Sequence, residues 1–316
     1  MHRYCLRNRI INIAVLLLWF FPLQSYAKSQ YITIDSGQSA HEVCSVLTDH
    51  QLIFSEFFCR IYFHVTHRAH KIKAGVYFFD ETQGWRSVVR DLVQGNEAQF
   101  KWVVRPGDDI YDVLGSLKHN SRVITSDEGA LLKQLDIDSF EELQGKLYPD
   151  TYYFSSGQKG ITLMTRAYKR MHATLDELWS ARQEDLPITT LDDAITVASM
   201  IEMESAKKDE KALIASVIYN RLKVGMPLQI DASVQYGLKK KVPITREDTH
   251  VDTPYNTYMH KGLPPGPLCF PGVDSLEAAM HPLKTKYFYY VLNSYGYHTF
   301  SKTYQEHLSV IKGVNS

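Results

Sequence analysis

A carboxylic acid on the apolar side of a helix is the strongest chemical signal in this sequence. The stretch Leu191–Ser205 reads as a helix. Leu191, Ala194, Ile195, Ala198 and Ile201 recur at the three- and four-residue steps of one face. Thr189 or Thr190 can cap its start, and Asp192 and Asp193 suit its first turn. Continuing the stripe from Leu191 through Ile195 and Ala198 leads to Glu202. Glu204, two residues on, points to the other side. An acid lodged among apolar groups is costly to ionise, so burial favours its protonated form. Such a group is equipped to donate a proton near neutral pH. Glu202 is therefore the candidate general acid. The alternative is that it turns to solvent at the helix end, or pairs with Arg221.

Composition sets broad limits. The chain has 316 residues, with Lys+Arg and Asp+Glu balanced at 35 each. That length suits two domains or one large one. No global field draws it to nucleic acid. Neither a cysteine metal-site pattern nor a cofactor motif stands out. The N-terminus carries His2, Arg3, Arg7 and Arg9, then the apolar run Ile10–Leu23 and the small-x-small site Ser25-Tyr26-Ala27. At about 14 residues the run falls short of the roughly 20 that span a bilayer. Residues 1–27 read as a cleaved signal peptide, with a retained membrane anchor as the alternative. Cys44 and Cys59 could bridge in an oxidising compartment, or stay as small buried thiols.

The remaining elements frame the acid. Tyr31–Ile34 reads as a strand, and a helix starts at His41. A similar strand, turn and helix return over Lys101–Leu117, a weak internal repeat. Ala74–Phe79 is another strand and Trp85–Val93 another helix. Ser126–Leu143 reads as one helix, Tyr152–Phe154 as an aromatic strand and Gly160–Arg182 as a long helix. Glu210–Val224 is the next helix, stopped by Gly225. Leu228–Gly237 mixes polar with apolar residues. Rigid loops follow at Thr253–Tyr258 and Gly262–Pro267. Ser275–Met280 is a short helix. Tyr287–Leu292 and Tyr297–Phe300 form a hairpin, and Tyr304–Val310 closes the chain.

Eight of these pieces, taken in order, carry a resemblance. They are Leu147-Tyr-Pro-Asp-Thr-Tyr152, Ala198-Ser-Met-Ile-Glu-Met-Glu204, Ala215-Ser-Val-Ile-Tyr-Asn-Arg-Leu222 and Gly225-Met-Pro-Leu-Gln-Ile-Asp231. They continue with Tyr255-Asn-Thr-Tyr258, Gly262-Leu-Pro-Pro-Gly266, Pro271-Gly272 through Ser275-Leu276, and Gly296-Tyr-His-Thr-Phe300. From about residue 30 onward the chain resembles the YceG-like, MltG-type endolytic murein transglycosylases. Cys269-Phe270, Ile230 and Ala232-Ser233 depart from the usual pattern of that family.

The resemblance implies an α+β fold. A mixed catalytic domain over 121–316 would be built on a central Glu-bearing helix. Val104-Arg-Pro-Gly-Asp108 before a helix separately resembles LysM-type glycan-binding modules, so residues 28–120 read as LysM-like strand–turn–helix modules, with a scaffold that makes no glycan contact as the alternative. The family resemblance implies cleavage of the β-1,4 bond between N-acetylmuramic acid and N-acetylglucosamine within glycan strands, giving 1,6-anhydro ends and ending nascent strands during wall synthesis. Glu202 would be catalytic. Gln229, Asp231, Tyr255, Asn256, Tyr258, His298 and Glu204 would meet the substrate. No metal or cofactor is required. The partners would be peptidoglycan strands and cell-wall synthases. The location would be the periplasmic cell envelope, soluble or attached to the inner membrane through the N-terminal segment. A water-using muramidase and a non-catalytic glycan-binding scaffold are the rival readings.

Overall fold

The computed structural model describes residues 28–125, 128–135 and 137–314. The expected signal peptide or anchor, residues 1–27, lies outside them. The chain divides into two compact units after Phe100, so the repeat at Lys101–Leu117 falls in the second.

In the first unit, strand β1 (Gln30–Ile34) pairs antiparallel with β2 (Gly75–Phe79), Ile32 opposite Tyr77. Between them run helices α1 (Ala40–Asp49) and α2 (Glu56–Val65), and α3 (Trp85–Gln94) follows. Ser39 opens α1 with a capping box to Glu42. Alternation along the strands sends Ile32, Ile34, Tyr77 and Phe79 inward, where they meet Val43, Leu47, Phe63, Val88 and Leu92. Cys44 and Cys59 form a disulfide between α1 and α2. Of the two readings open in the sequence, the bridge is the one found. Closing a loop of 15 residues contributes about 3 kcal/mol on the chain-entropy model.

The second unit is a mixed assembly of helices and short strand pairs. Strand β3 (Gln99–Val104) runs into it across the division, and its elements continue with α4 (Ile110–Lys118), β4 (Val123–Ile124), α5 (Glu128–Leu135), β5 (Asp150–Ser155), β6 (Gln158–Lys159) and α6 (Gly160–Ser180). They continue with α7 (Leu191–Glu204), α8 (Lys208–Lys223), α9 (Asp231–Gly237), α10 (Val273–Met280), β7 (Tyr289–Leu292), β8 (His298–Ser301) and α11 (Tyr304–Val314). Strand β3 pairs with β5, β4 runs parallel to β6, and β7 and β8 form the antiparallel hairpin.

Helix α7 is the hub. It packs on α8, α9 and α10, and the core gathers Ile195, Ala198 and Ile201 with Met171, Leu175, Ile214, Ile218, Leu276 and Met280. Gly145, at φ +77°, lets its loop press on this helix: a Cβ there would lie 2.7 Å from Ile195 and from Pro267.

One expectation is corrected, and two helices come in addition to those expected. The helix expected over Ser126–Leu143 is two elements, α5 and a 3₁₀ turn at Phe140–Leu143, because Ser139 and Glu142 form a fresh capping box. Helix α2 was not anticipated. Its run of Phe, Tyr, Ile and Val suits strand as well as helix. Helix α9 was not read either, since seven residues with polar positions show no clear period.

Candidate active site

Thr190 caps α7 through its side chain, which accepts from the Asp193 N–H, and Asp193 answers in a capping box. From Ala194 to Ile201 every residue is buried. A helix enclosed on all sides has no single apolar stripe, so position on a helical wheel does not say which carboxylate is desolvated. What each one touches decides it. The helix ends at Glu204, where Ser205 turns extended.

Glu202 does not meet the apolar surroundings expected of it. Its Oε2 accepts from the Lys211 ammonium at 3.0 Å, the Ser275 hydroxyl at 2.6 Å and the Gly272 N–H at 3.0 Å. Lys211 also donates to Ser275 Oγ at 2.8 Å. Gly272 is the N-cap of α10, so the carboxylate lies at the positive end of that helix. Through these donors the side chain ties α7 to α8 and α10. The partner is Lys211, not Arg221.

Glu204 sits in a different environment. The Tyr290 hydroxyl donates to it, and Asp231, His298 and Arg221 lie close enough to act on it electrostatically. Its side chain keeps some exposed surface, but protein crowds it closely. Loss of hydration, with the Asp231 charge adding to it, holds its pKa above the usual carboxylate value, against the pull of Tyr290, His298 and Arg221. The Tyr290 pKa is pushed well up, first by burial and then by Glu204, so the phenol remains a donor. Arg221 is buried. Its Nε donates to the Phe288 carbonyl at 2.7 Å and its Nη1 to that of Leu228 at 2.6 Å. Those contacts leave its net charge beside Glu204. A carboxyl that favours its proton, with a donor and a cation at hand once the proton leaves, fits acid and base duty in turn.

Asp231 is exposed at the first turn of α9, and the Tyr258 hydroxyl donates to its Oδ1 at 2.5 Å. These two sequence candidates therefore meet beside Glu204. His298 is also there, its Nδ1 held 2.9 Å from Glu210 Oε2. Gln229 is exposed, with a left-handed φ of +51° and its N–H bonded to the Thr257 carbonyl at 3.1 Å. Tyr255 packs on Tyr236 with ring centroids 4.7 Å apart. Asn256 is corrected outright: it is fully buried. Its amide donates to the carbonyls of Thr249 and Val251, and its Oδ1 accepts from the Tyr258 N–H. It builds the loop that carries Tyr258 and has no surface to offer a substrate.

Tyr290, Glu210, Lys211 and Ser275 escaped the sequence reading, and Arg221 entered only as a rival partner for Glu202. A guanidinium close to the apolar stripe of α8 was a usable signal, since a buried Arg demands acceptors. Tyr290 gave none, one tyrosine among several in its strand. Next to the helix end lies a groove of about 460 Å³, with Met203, Ala232, Tyr111, Tyr236, Lys239 and Leu268 among its walls. Glu204 is not one of them, but its neighbour Met203 is.

The chain is similar to several known proteins. A model of the YceG-like family matches residues 32–313. The endolytic murein transglycosylase of Bacillus subtilis is 30% identical over 90% of this chain and 85% of its own. That of Streptococcus pneumoniae is 26% identical over 85% of this chain, which spans 55% of the pneumococcal protein. The crystal structure of a yceG-like protein from Listeria monocytogenes superposes with a TM-score of 0.57 at 27% identity, covering 90% of this chain and 99% of that one.

Proposed function

The chain belongs to the YceG-like family, and from that premise we propose that it is a lytic transglycosylase cleaving peptidoglycan within its glycan strands, with Glu204 as the acid. The bond cut is the β-1,4 link from N-acetylmuramic acid to N-acetylglucosamine. Glu204 gives its proton to the leaving O4 as the C1–O4 bond breaks. The carboxylate left behind, met by Tyr290 and faced by Arg221, then takes the proton of the muramic 6-hydroxyl while O6 bonds to C1. One carboxyl returns to its starting state, and the product carries a 1,6-anhydro end. The observation that carries this reading is the raised pKa of Glu204 beside its Tyr290 donor. In this scheme Glu202, in its ion pair, holds the helix end.

Asp231, Tyr258 and His298 would border the reacting sugars, with Gln229 and Tyr255 further out. The groove next to Met203 would take flanking residues of the strand. The β1–β2 sheet with its helices supports the LysM-like, glycan-contacting role of the N-terminal region. The finer biology we propose is termination of nascent strands beside the synthases, in the cell envelope. Mass spectrometry of glycan incubated with the protein tests the chemistry. Anhydro-ended fragments of internal origin are expected, and an untouched polymer would count against it.

A second reading has one observation behind it. Asp231 is an exposed carboxylate close enough to bear on Glu204, and a second carboxylate could activate water. Reducing ends in place of anhydro ends would establish that muramidase.

A further inference from the structure

The proposed mechanism leaves one buried carboxylate unused. Glu210, near the start of α8, is 4% exposed. Its Oε2 accepts from the Ser205 hydroxyl at 2.9 Å and from His298 Nδ1 at 2.9 Å, and its Oε1 takes the His298 N–H. Burial opposes its charge, but the His298 and Ser205 donors outweigh that and hold its pKa below the usual carboxylate value. An ionised carboxylate only accepts, so Nδ1 must be the donor. The bond fixes both the tautomer and the plane of the ring.

That ring stands edge-on to Tyr290, centroids 5.2 Å apart and planes at 85°. The register explains the contact. Leu292 faces His298 across the hairpin, and Tyr290, two residues before Leu292, shares its face as a diagonal neighbour. Tyr290 in turn donates to Glu204, and Ser205 directly follows Glu204 in the chain. The contacts thus close a ring: Glu204, Tyr290, His298, Glu210, Ser205 and back to Glu204.

We propose that Glu210 is a positioning residue: without touching substrate, it locks His298 against Tyr290 and so holds the Tyr290 hydroxyl on Glu204. This rests on the reading of Glu204 as the acid. The groups that face Glu204 are Tyr290 from β7, His298 from β8, Asp231 from α9 and Arg221 from α8. If the lock is released, a donor that favours the Glu204 carboxylate moves away. The proton then binds more tightly.

The test is an NMR titration of Glu204 in carboxyl-labelled protein, wild type against Glu210→Gln and His298→Gln, with murein kinetics alongside. Tyr219→Phe is the control. It removes a buried 2.6 Å bond from the same helix to the Ala279 carbonyl and touches no member of the ring. The Glu204 midpoint should rise by roughly half a pH unit or more in both test variants. In Glu210→Gln kcat should fall about 10- to 100-fold at little-changed KM, as misplacement of a reacting group predicts. Tyr219→Phe should lower the melting temperature and leave the midpoint alone. Should Glu210→Gln fail to fold, Glu210→Asp, whose shorter side chain draws back from His298, carries the same measurement. Folded variants with a wild-type midpoint overturn the proposal. A raised midpoint in a protein that makes no anhydro ends would uphold the ring and sink the functional reading instead.

Discussion

Glu202 and Glu204 lie two positions apart on one helix, yet the first takes the Lys211 ammonium at 3.0 Å and the second the Tyr290 hydroxyl. The separation follows from helix geometry. Two residues are 200° of turn, which points the side chains to nearly opposite sides. One side meets α8 and α10, the other the hairpin. On the proposed mechanism the two acids divide the work of fastening the helix and moving a proton.

Glu204→Gln should abolish anhydro-product formation, with a loss of about 100- to 10,000-fold. The amide keeps the shape and cannot deliver a proton. Glu202→Gln should fail differently. It removes one charge of a buried pair, so about 3–5 kcal/mol of stability should go while the folded enzyme retains activity. Product analysis and melting temperature on both variants separate the roles. A dead but fully stable Glu202→Gln would return the acid to that position.

Burial of Glu204 gives stability a pH dependence of definite sign. Its folded pKa lies above the unfolded one. The stability tied to this group is therefore whole below the unfolded value and lost as pH rises through the folded one. Glu204→Gln removes that loss. Relative to wild type, the variant should melt higher on the alkaline side, and the difference should shrink on acidification. Melting curves from about pH 4 to 9 bracket both states of a carboxyl displaced in this direction.

Asp231→Asn should shift the activity profile. The Asp231 charge is one of the forces raising the Glu204 pKa. Without it Glu204 loses its proton at lower pH. The alkaline limb of kcat/KM should therefore move down, while the acidic side keeps its rate. A muramidase that needs Asp231 as its base would lose turnover at every pH.

Asn256→Ala should act through folding. It strands the carbonyls of Thr249 and Val251 and frees the Tyr258 N–H. About 2–4 kcal/mol of stability should be lost. Thermal melting and glycan binding of the folded fraction check it. Unchanged stability with lost binding would place Asn256 in the cleft after all.

The frame of the site was legible because its signals are local. The Thr190–Asp193 cap and the apolar spacing that follows mark α7. Gly225 marks the end of α8, and the Asn293–Gly296 turn marks the hairpin. The choice between the two glutamates was not legible. It turns on Lys211, nine residues away, and on Tyr290, which reaches Glu204 only after the hairpin folds back. Likewise Asn256 looked like a polar loop residue until the carbonyls it satisfies were in place. Motif position brought Asp231, Tyr258, His298 and Glu204 to notice together, and they do converge. Spacing within one helix could not rank them.

A helix buried without a break from Ala194 to Ile201 also governs how this sequence can vary. An ordinary amphipathic helix tolerates change on one side, and its tolerant sites recur every three or four residues. Here that rhythm vanishes: each of the eight positions is bounded by neighbours in a close-packed interior, so change in volume is penalised at all of them. The segment just before the two glutamates would read in a mutational scan as a solid block. Its small residues, Ala194, Ala198 and Ser199, would resist enlargement as firmly as Ile195 and Ile201 resist trimming.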